Sequence, residues 1–145
     1  MAKLGVASAG WTGNYVETIT TSKTLNYGDS GKVFLIGTDA LTITLPATKT
    51  GVKYTFVNSG AAGNNIITIS PNSSDAIKGN LNSSVGANSN ATTADGLVAI
   101  SGGADDKDWV NTKATANVGD RVTIVGDGSD GWWIVDGCGI WVSEA

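Results

Sequence analysis

Reactive side chains are scarce in this sequence, which contains no histidine and one cysteine, Cys138. The absence of histidine excludes serine–histidine–aspartate triads, histidine-ligated zinc sites and histidine pH switches. A single cysteine cannot form an intrachain disulfide, and its thiol has no histidine to act as its base. The two glutamates, Glu17 and Glu144, lie at opposite ends of the chain, which disfavours the paired carboxylates of a glycosidase. We therefore expect no enzyme activity and no cofactor.

Charge and long apolar runs are also scarce. Charged residues make up 15% of the chain, and 9 Lys and Arg face 13 Asp and Glu. This deficit of positive charge argues against binding nucleic acid through phosphate neutralisation. The apolar runs at 33–36 and 132–135 are far shorter than the roughly 20 residues of a transmembrane helix. Residues 1–6 lack the apolar core of a signal peptide. We expect no membrane or nucleic-acid partner and no export signal.

The residues that are abundant favour β-structure. Val, Ile and Thr number 13, 11 and 17, whereas Leu, Glu, Lys, Met and Arg together number 19 and Gln is absent. β-Branched side chains fit pleated sheets and lose rotamer freedom in helices. The 20 glycines supply turns. The composition predicts an all-β fold.

Alternating strand patterns recur about every 10–12 residues, with Gly, Asn, Asp or Pro between them. The predicted strands are 17–22, 32–37, 41–45, 53–58, 66–70, 97–100, 121–125, 132–136 and 140–142. Such spacing is typical of antiparallel sandwiches and barrels. We predict an antiparallel β-sandwich that is jelly-roll-like, with long polar loops.

Three regions are distinguished along the chain. Residues 1–16 are small and nearly uncharged and contain Trp11 and Tyr15, so we interpret them as an N-terminal arm; a frayed tail is the alternative. Residues 17–145 form a single β-sandwich domain in this interpretation. Residues 79–118 are mostly polar and are predicted to be a loop insert, interrupted by the short strand 97–100.

The apolar strand 132–135 carries large side chains on both faces, because Trp132 and Trp133 must point in opposite directions. One face belongs to the core, and the other is covered either by its own chain or by another subunit. We expect Trp133 to be the core residue, because Val135 shares its face and the pair would match the aliphatic residues of 121–125.

The remaining tryptophans are assigned to candidate contacts. Trp109 lies in a polar stretch and is the best candidate for a single exposed anchor, whereas Trp141 lies in a short apolar strand. The candidate interface residues are Trp11, Tyr15, Trp109, Trp132 and Trp141. No catalytic, cofactor-binding or metal-binding residue is assigned.

Two acidic segments are candidates for cation sites. The segment 127–131 resembles the start of a calcium loop, but its twelfth position would be Cys138 rather than a carboxylate, so a hairpin turn is the better interpretation. Asp105, Asp106 and Asp108 could hold a cation between them. A solvated acidic loop is the favoured interpretation of that cluster.

Two blocks of the sequence resemble a recurrent β-module of tailed-bacteriophage virion proteins. The blocks comprise 24–34, 41–46 and 51–56, followed by 119–125, Asp127-Gly128, Trp132 or Trp133, and 139–141. The resemblance covers roughly residues 17–78 and 119–143, and the polar insert has no part in it. Small stand-alone members of this group are capsid decoration, or cement, proteins, and others are appended to tail fibres.

The resemblance implies a structural virion protein that binds the outer capsid surface between subunits of the major capsid protein and stabilises the shell. It also implies a homotrimer and a location on the capsid surface, after synthesis in the host cytoplasm. The alternative is a tail-fibre or receptor-binding, lectin-like module that recognises a host surface glycan.

Overall fold

The computed structural model describes residues 15–82, 97–100 and 104–143, which form twelve strands and one short 3-10 helix, Tyr27–Asp29. The strands are β1 (Val16–Ile19), β2 (Lys23–Thr24), β3 (Val33–Ile36), β4 (Leu41–Thr44), β5 (Lys53–Asn58), β6 (Ile67–Ser70), β7 (Ala76–Asn82), β8 (Leu97–Ile100), β9 (Trp109–Asn111), β10 (Arg121–Gly126), β11 (Gly131–Cys138) and β12 (Trp141–Ser143). The expectation of an all-β fold is confirmed.

The strands form two sheets that pack face to face in a sandwich-like arrangement. The large sheet has the order β1-β3-β5-β10-β11-β7-β8, and the small sheet has the order β12-β9-β6-β4-β2. One apolar core lies between them and includes the fully buried Phe34, Ile43, Phe56, Ile69 and Trp132. Within the described ranges, no helix has the length and apolar character needed to cross a membrane.

The first six strands form a parallel coil. The chain alternates between the sheets, so that β1, β3 and β5 are parallel neighbours in the large sheet and β2, β4 and β6 are parallel neighbours in the small sheet. Residues on adjacent turns of the coil are roughly 20 positions apart: Val16 pairs with Val33, and Val33 pairs with Thr55. Two adjacent parallel strands therefore need no separate crossover segment, because the strand between them in sequence lies in the opposite sheet.

The antiparallel arrangement expected from the sequence is wrong for this half of the chain. Both sheets are mixed, and the structure does not confirm jelly-roll connectivity. Short alternating strands at regular spacing give the same sequence pattern in both topologies: when each strand pairs with its predecessor, and when each strand crosses to a second sheet. The distinguishing signal was the longer repeat of roughly 20 residues between strands of one sheet.

The second half of the chain closes the coil. β10 and β9 pair antiparallel with β5 and β6, and β11 and β12 continue the two sheets outward. β7 then pairs in parallel with β11. This pairing requires Gly131, whose φ is 149°, because a Cβ at that position would overlap the carbonyl of Ala76.

The predicted regions need two corrections at their boundaries. The arm was expected to extend to residue 16, but Val16 begins β1 and the Tyr15 carbonyl accepts a 2.8 Å hydrogen bond from the Val33 N–H. The expected insert 79–118 contains the end of β7, all of β8 and all of β9. β8 is the short strand predicted at 97–100, whereas the end of β7 and all of β9 were not predicted and are ordered by pairing with neighbouring strands. Residues 1–14 and 83–96 lie outside the described residues.

A buried polar network joins the sheets at the end of β5 and β9. The Asn58 side-chain amide donates to the Asn111 oxygen at 2.8 Å, and the Asn111 amide donates to Asp120 at 2.9 Å and to the Ile140 carbonyl at 3.1 Å. Asn58 and Asn111 are both fully buried. The network therefore satisfies, within the protein, polar groups that water cannot reach.

Candidate functional site: the outer face of the large sheet

The outer faces of the two sheets differ in chemistry. On both sheets the side chains alternate between the buried core and the exterior, as strand geometry requires. The outward residues of the small sheet are mainly hydroxyl-bearing: Thr24, Thr42, Thr44, Thr68 and Ser70, with Val110 and Val142 on β9 and β12. The outward residues of β1, β3, β5, β10 and β11 in the large sheet include Val16, Val33, Leu35, Val57, Val125, Trp133 and Val135.

Polar residues interrupt the apolar surface near its centre: Lys53 on β5 is outward and exposed, and two threonines lie next to it on β5 and β10. Thr55 on β5 and Thr123 on β10 are paired, and their hydroxyl oxygens are 2.9 Å apart in a mutual hydrogen bond. One hydroxyl donates this bond and the other accepts it, so the pair satisfies part of its hydrogen-bonding capacity within the protein. The most exposed apolar residues of the face are on β11, where Trp133 is 48% exposed and Val135 is 59% exposed. Contiguous exposed apolar residues of this kind mark binding surfaces.

Trp133 is held in a fixed orientation by charged neighbours. Its indole Nε1–H donates a 3.1 Å hydrogen bond to Asp127 Oδ2. The Lys78 ammonium lies 5.0 Å from the centre of the ring, on the adjacent strand β7, and forms an ion pair with Asp130. A cation above an aromatic ring is attracted by the ring's electrons. Because the indole is already oriented, a partner that contacts it loses little side-chain entropy on binding.

Asp127 in turn is fixed by the turn between β10 and β11. Its Oδ1 accepts backbone hydrogen bonds from Ser129, Asp130 and Gly131 at 2.9, 2.9 and 3.0 Å. The backbone N–H groups of Asp130 and Ser129 hold the pKa of the Asp127 carboxyl well below its usual range. The structure shows the hairpin predicted around 127–131, and the Asp127 carboxylate accepts these N–H groups within its turn.

This geometry predicts an acid-dependent change at Trp133. Because the pKa of Asp127 is lowered by folding, its stabilising effect is fully present above the unfolded value of about 3.9 and is lost as the pH falls further. In the folded protein the carboxyl is protonated only near its lowered pKa, so we expect the Trp133 indole N–H resonance of ¹⁵N-labelled protein to stay constant down to about pH 4 and to shift only at markedly lower pH. In Asp127→Asn the resonance should not titrate. An identical titration in the variant would show that Asp127 does not cause the shift.

Ion pairs surround the exposed part of β11. Arg121 Nε lies 3.4 Å from Asp136 Oδ2, and Lys78 pairs with Asp130. Each positive group near Trp133 and Val135 is therefore matched by a carboxylate. An apolar centre with a polar rim is the usual anatomy of a protein interface.

The structure separates the tryptophans differently from the sequence prediction. Trp132 is fully buried and lies with its ring centre 5.3 Å from that of Tyr54, whereas Trp133 is outward, so the assignment of Trp133 to the core is wrong. The hairpin register is the cause: Gly126 pairs with Trp132 and Val125 with Trp133. Because Val125 faces outward, Trp133 does too.

The other candidate interface residues do not form one surface in the described part of the chain. Trp109 was expected to be an exposed anchor, but it is buried on β9 and stacks on the buried Trp141, with ring centres 6.3 Å apart. Their shared apolar environment between the sheets explains the difference. Tyr15 is 61% exposed at the start of β1. Trp11 lies outside the described residues. Trp133, which was predicted to be a core residue and not an interface residue, is the exposed tryptophan of the described chain.

Neither the acidic residues at 105–108 nor Cys138 belongs to a cluster of reactive side chains in the described part of the chain. In the described part of the chain, no three His, Cys, Asp or Glu side chains are grouped so that they could hold a metal ion. Asp105 and Asp106 are exposed, and Asp106 N–H donates to the Asp75 carbonyl at 3.1 Å. The Cys138 sulfur is half-buried and lies 3.0 Å from Arg121 Nη1.

Comparisons with known proteins provide no relative on which to base an assignment. Neither the protein-family models nor the curated proteins contain a match to this chain. The outer face of the large sheet, with Trp133 at its most exposed part, is therefore the candidate site on structural grounds alone.

Proposed function

We propose that this protein is a structural component of a tailed-phage virion that decorates and stabilises the capsid, and that it docks on the shell through the outer face of the large sheet. The observation that carries the proposal is the contrast between this apolar face and the hydroxyl-rich face of the small sheet. The resemblance of residues 17–78 and 119–143 to phage virion modules supplies the identity of the partner.

The chemistry of the face suits a protein partner with little net charge. Val16, Val33, Leu35 and Val57 offer aliphatic side chains on this face, and Trp133 offers a large, fixed ring next to Val125, two strands away from β5. Tryptophan is enriched among the residues that dominate binding energy at interfaces. Binding to the assembled shell but not to its dissociated subunits stabilises the shell by mass action. The role needs no catalytic group, and we propose a binding protein rather than an enzyme.

The N-terminal arm remains part of this proposal. Tyr15, at its boundary, is exposed and adjoins Val16 on the same edge of the large sheet. We propose that residues 1–15 contribute to shell contact together with the outer face. The structural pairing of Val16 with Val33 assigns residues from 16 onward to the folded part of the chain.

The docking surface is tested by co-sedimentation with expanded capsids of the phage that encodes the chain. We expect Trp133→Ala to weaken shell binding by about 30-fold, which corresponds to roughly 2 kcal/mol for an interface tryptophan. The matched control is Val142→Ala, which truncates an exposed apolar residue on the outer face of the small sheet. Equal binding by the wild type and Trp133→Ala would contradict docking through this face.

A homotrimer is proposed on the basis of the resemblance. Sedimentation equilibrium should then give a mass of about 44 kDa, three times the 14.7 kDa of one chain. Trp133→Ala should keep this mass if the residue faces the shell. A mass of one chain at all concentrations would exclude the trimer.

One observation favours the alternative, a receptor-binding module for a host glycan. Trp133 is an exposed, oriented aromatic ring beside Lys78 and two carboxylates, and such a ring can stack on a sugar while polar neighbours bind hydroxyl groups. Calorimetric titration with purified host surface polysaccharide distinguishes the two functions. Saccharide binding that Trp133→Ala abolishes, together with no binding to shells, would favour the glycan module.

A further inference from the structure

One end of the parallel coil is an open edge in the described residues. β1 and β2 are the last strands on that side of the large and small sheets, and each pairs with a single neighbour, β3 and β4. The edges of sheets present unpaired N–H and C=O groups that can pair with another chain. Both sheets end here on the same side of the coil, so the two edges form one potential pairing surface.

Charged side chains point inward from both of these edge strands. Glu17 on β1 is in register with Phe34, and Lys23 on β2 is in register with Ile43. Phe34 and Ile43 are fully buried between the sheets, so residues in register with them face the same interior. Glu17 and Lys23 form an ion pair there, and the Lys23 ammonium lies 5.4 Å from the centre of the Phe34 ring.

Two further charges complete a neutral cluster, which we call the edge cluster: Glu17, Lys23, Asp29 and Lys32. Lys32 Nζ lies 2.6 Å from Asp29 Oδ1 and 2.9 Å from Glu17 Oε2, and Lys23 Nζ lies 3.8 Å from Asp29 Oδ1. Hydrogen bonds from Lys23 and Lys32 lower the pKa of Glu17. Asp29 is buried, whereas the other three side chains retain partial contact with water.

We propose that the edge cluster is a cap that prevents a second copy of this chain from pairing with the open end of the coil. A strand added to β1 or β2 would cover the cluster on its remaining open side. Glu17, Lys23 and Lys32 would lose their remaining water, and the desolvation penalty of buried ion pairs can exceed what their mutual attraction returns. Inward-pointing charges on edge strands are a known means of preventing association between sheets.

The topology also specifies what would form without the cap. The opposite sides of β5 and β6 are already occupied by β10 and β9, so a second copy cannot continue the coil head to tail. At the coil end the expected contact is therefore between the same ends of two copies, with β1 and β2 of one facing β1 and β2 of the other, whereas β8 and β12 form the opposite edges of the two sheets. Such a contact is two-fold symmetric and closes on itself. It therefore joins two copies of the protein, in whatever oligomeric state it has, and does not extend into a filament.

The test is the double variant Glu17→Val/Lys23→Val of the full chain, which leaves the Asp29–Lys32 pair intact. We expect its mass by sedimentation equilibrium at micromolar concentration to be twice that of the wild type, and the excess to disappear on dilution. The control is Asp39→Val/Lys113→Val, which removes an exposed ion pair away from the coil end. The control should keep the wild-type mass.

A second variant, Glu17→Thr/Lys23→Thr, is used if the valine variant does not fold. Like valine, threonine is β-branched and suits a strand, but it is less apolar than valine. Doubling of mass in either folded variant supports the cap. A folded variant whose mass equals that of the wild type over the whole concentration range would overturn it. Growth into filaments would overturn the two-fold geometry. Shell binding through Trp133 is measured separately, so either proposal can fail without the other.

Discussion

Truncation of Trp132 to alanine is expected to lower the free energy of unfolding by roughly 3–5 kcal/mol, the usual cost of removing a buried aromatic side chain from a core. Trp132 is fully buried and packs against Tyr54, so its removal leaves a cavity between the sheets. The neighbouring Trp133→Ala should cost far less stability, because about half of that side chain is in water. The two adjacent tryptophans are therefore expected to have different roles: Trp132 stabilises the fold, and Trp133 contributes to binding.

Urea unfolding of the two alanine variants measures this difference. Trp132→Phe is the matched control, because it keeps an aromatic ring and the Trp132 Nε1–H has no acceptor among the described residues. The phenylalanine variant should therefore be more stable than Trp132→Ala. Equal destabilisation by Trp132→Ala and Trp133→Ala would show that β11 is covered on both faces, and the outer face would no longer be a docking surface.

Replacement of Asn111 by leucine should lower the free energy of unfolding by roughly 2–5 kcal/mol, although the new side chain is apolar and similar in size. The substitution removes the oxygen that accepts from the Asn58 side-chain amide and the amide that donates to the Ile140 carbonyl. Each buried polar group without a hydrogen bond costs about 1–3 kcal/mol. Asp120 keeps the 2.9 Å bond from the Asn117 N–H and is affected less.

Thermal and urea unfolding of Asn111→Leu should both show this loss, with a melting temperature lower by roughly 10 °C for about 3 kcal/mol in a chain of this size. The control is Asn64→Leu, the same chemical change at an exposed residue of the loop before β6. The control should change stability by less than about 0.5 kcal/mol. Similar losses in the two variants would mean that the network contributes nothing beyond its packing.

Most strands could be predicted from the sequence, whereas their partners could not. The alternating patterns at 41–45, 53–58 and 121–125 correspond to β4, β5 and β10. Alternation reports which residues share a face, because side chains along a strand point to opposite sides. It does not report which strand lies alongside. The direction of pairing depends on where each connection leads, and here the connections lead to the opposite sheet.

The candidate site could be predicted from the sequence only in part, for a related reason. The sequence showed that Trp132 and Trp133 point in opposite directions, but their assignment depended on the register of the hairpin. The turn at 127–131 sets that register and pairs Val125 with Trp133. Trp109 illustrates the second limit: its neighbours in sequence are polar, but β6, β9 and β12 bring it beside Trp141. Burial of a single residue in a polar segment is decided by contacts distant in sequence.

Cryo-electron microscopy of the virion tests the central claim most directly, because it shows both where the chain binds and which face it presents. The proposal predicts density for the chain on the outer capsid surface, between capsid subunits, with β10 and β11 against the shell and Trp133 at the contact. Density on the tail would contradict the capsid location. Density on the shell with the hydroxyl-rich face of the small sheet at the contact would contradict docking through the outer face of the large sheet.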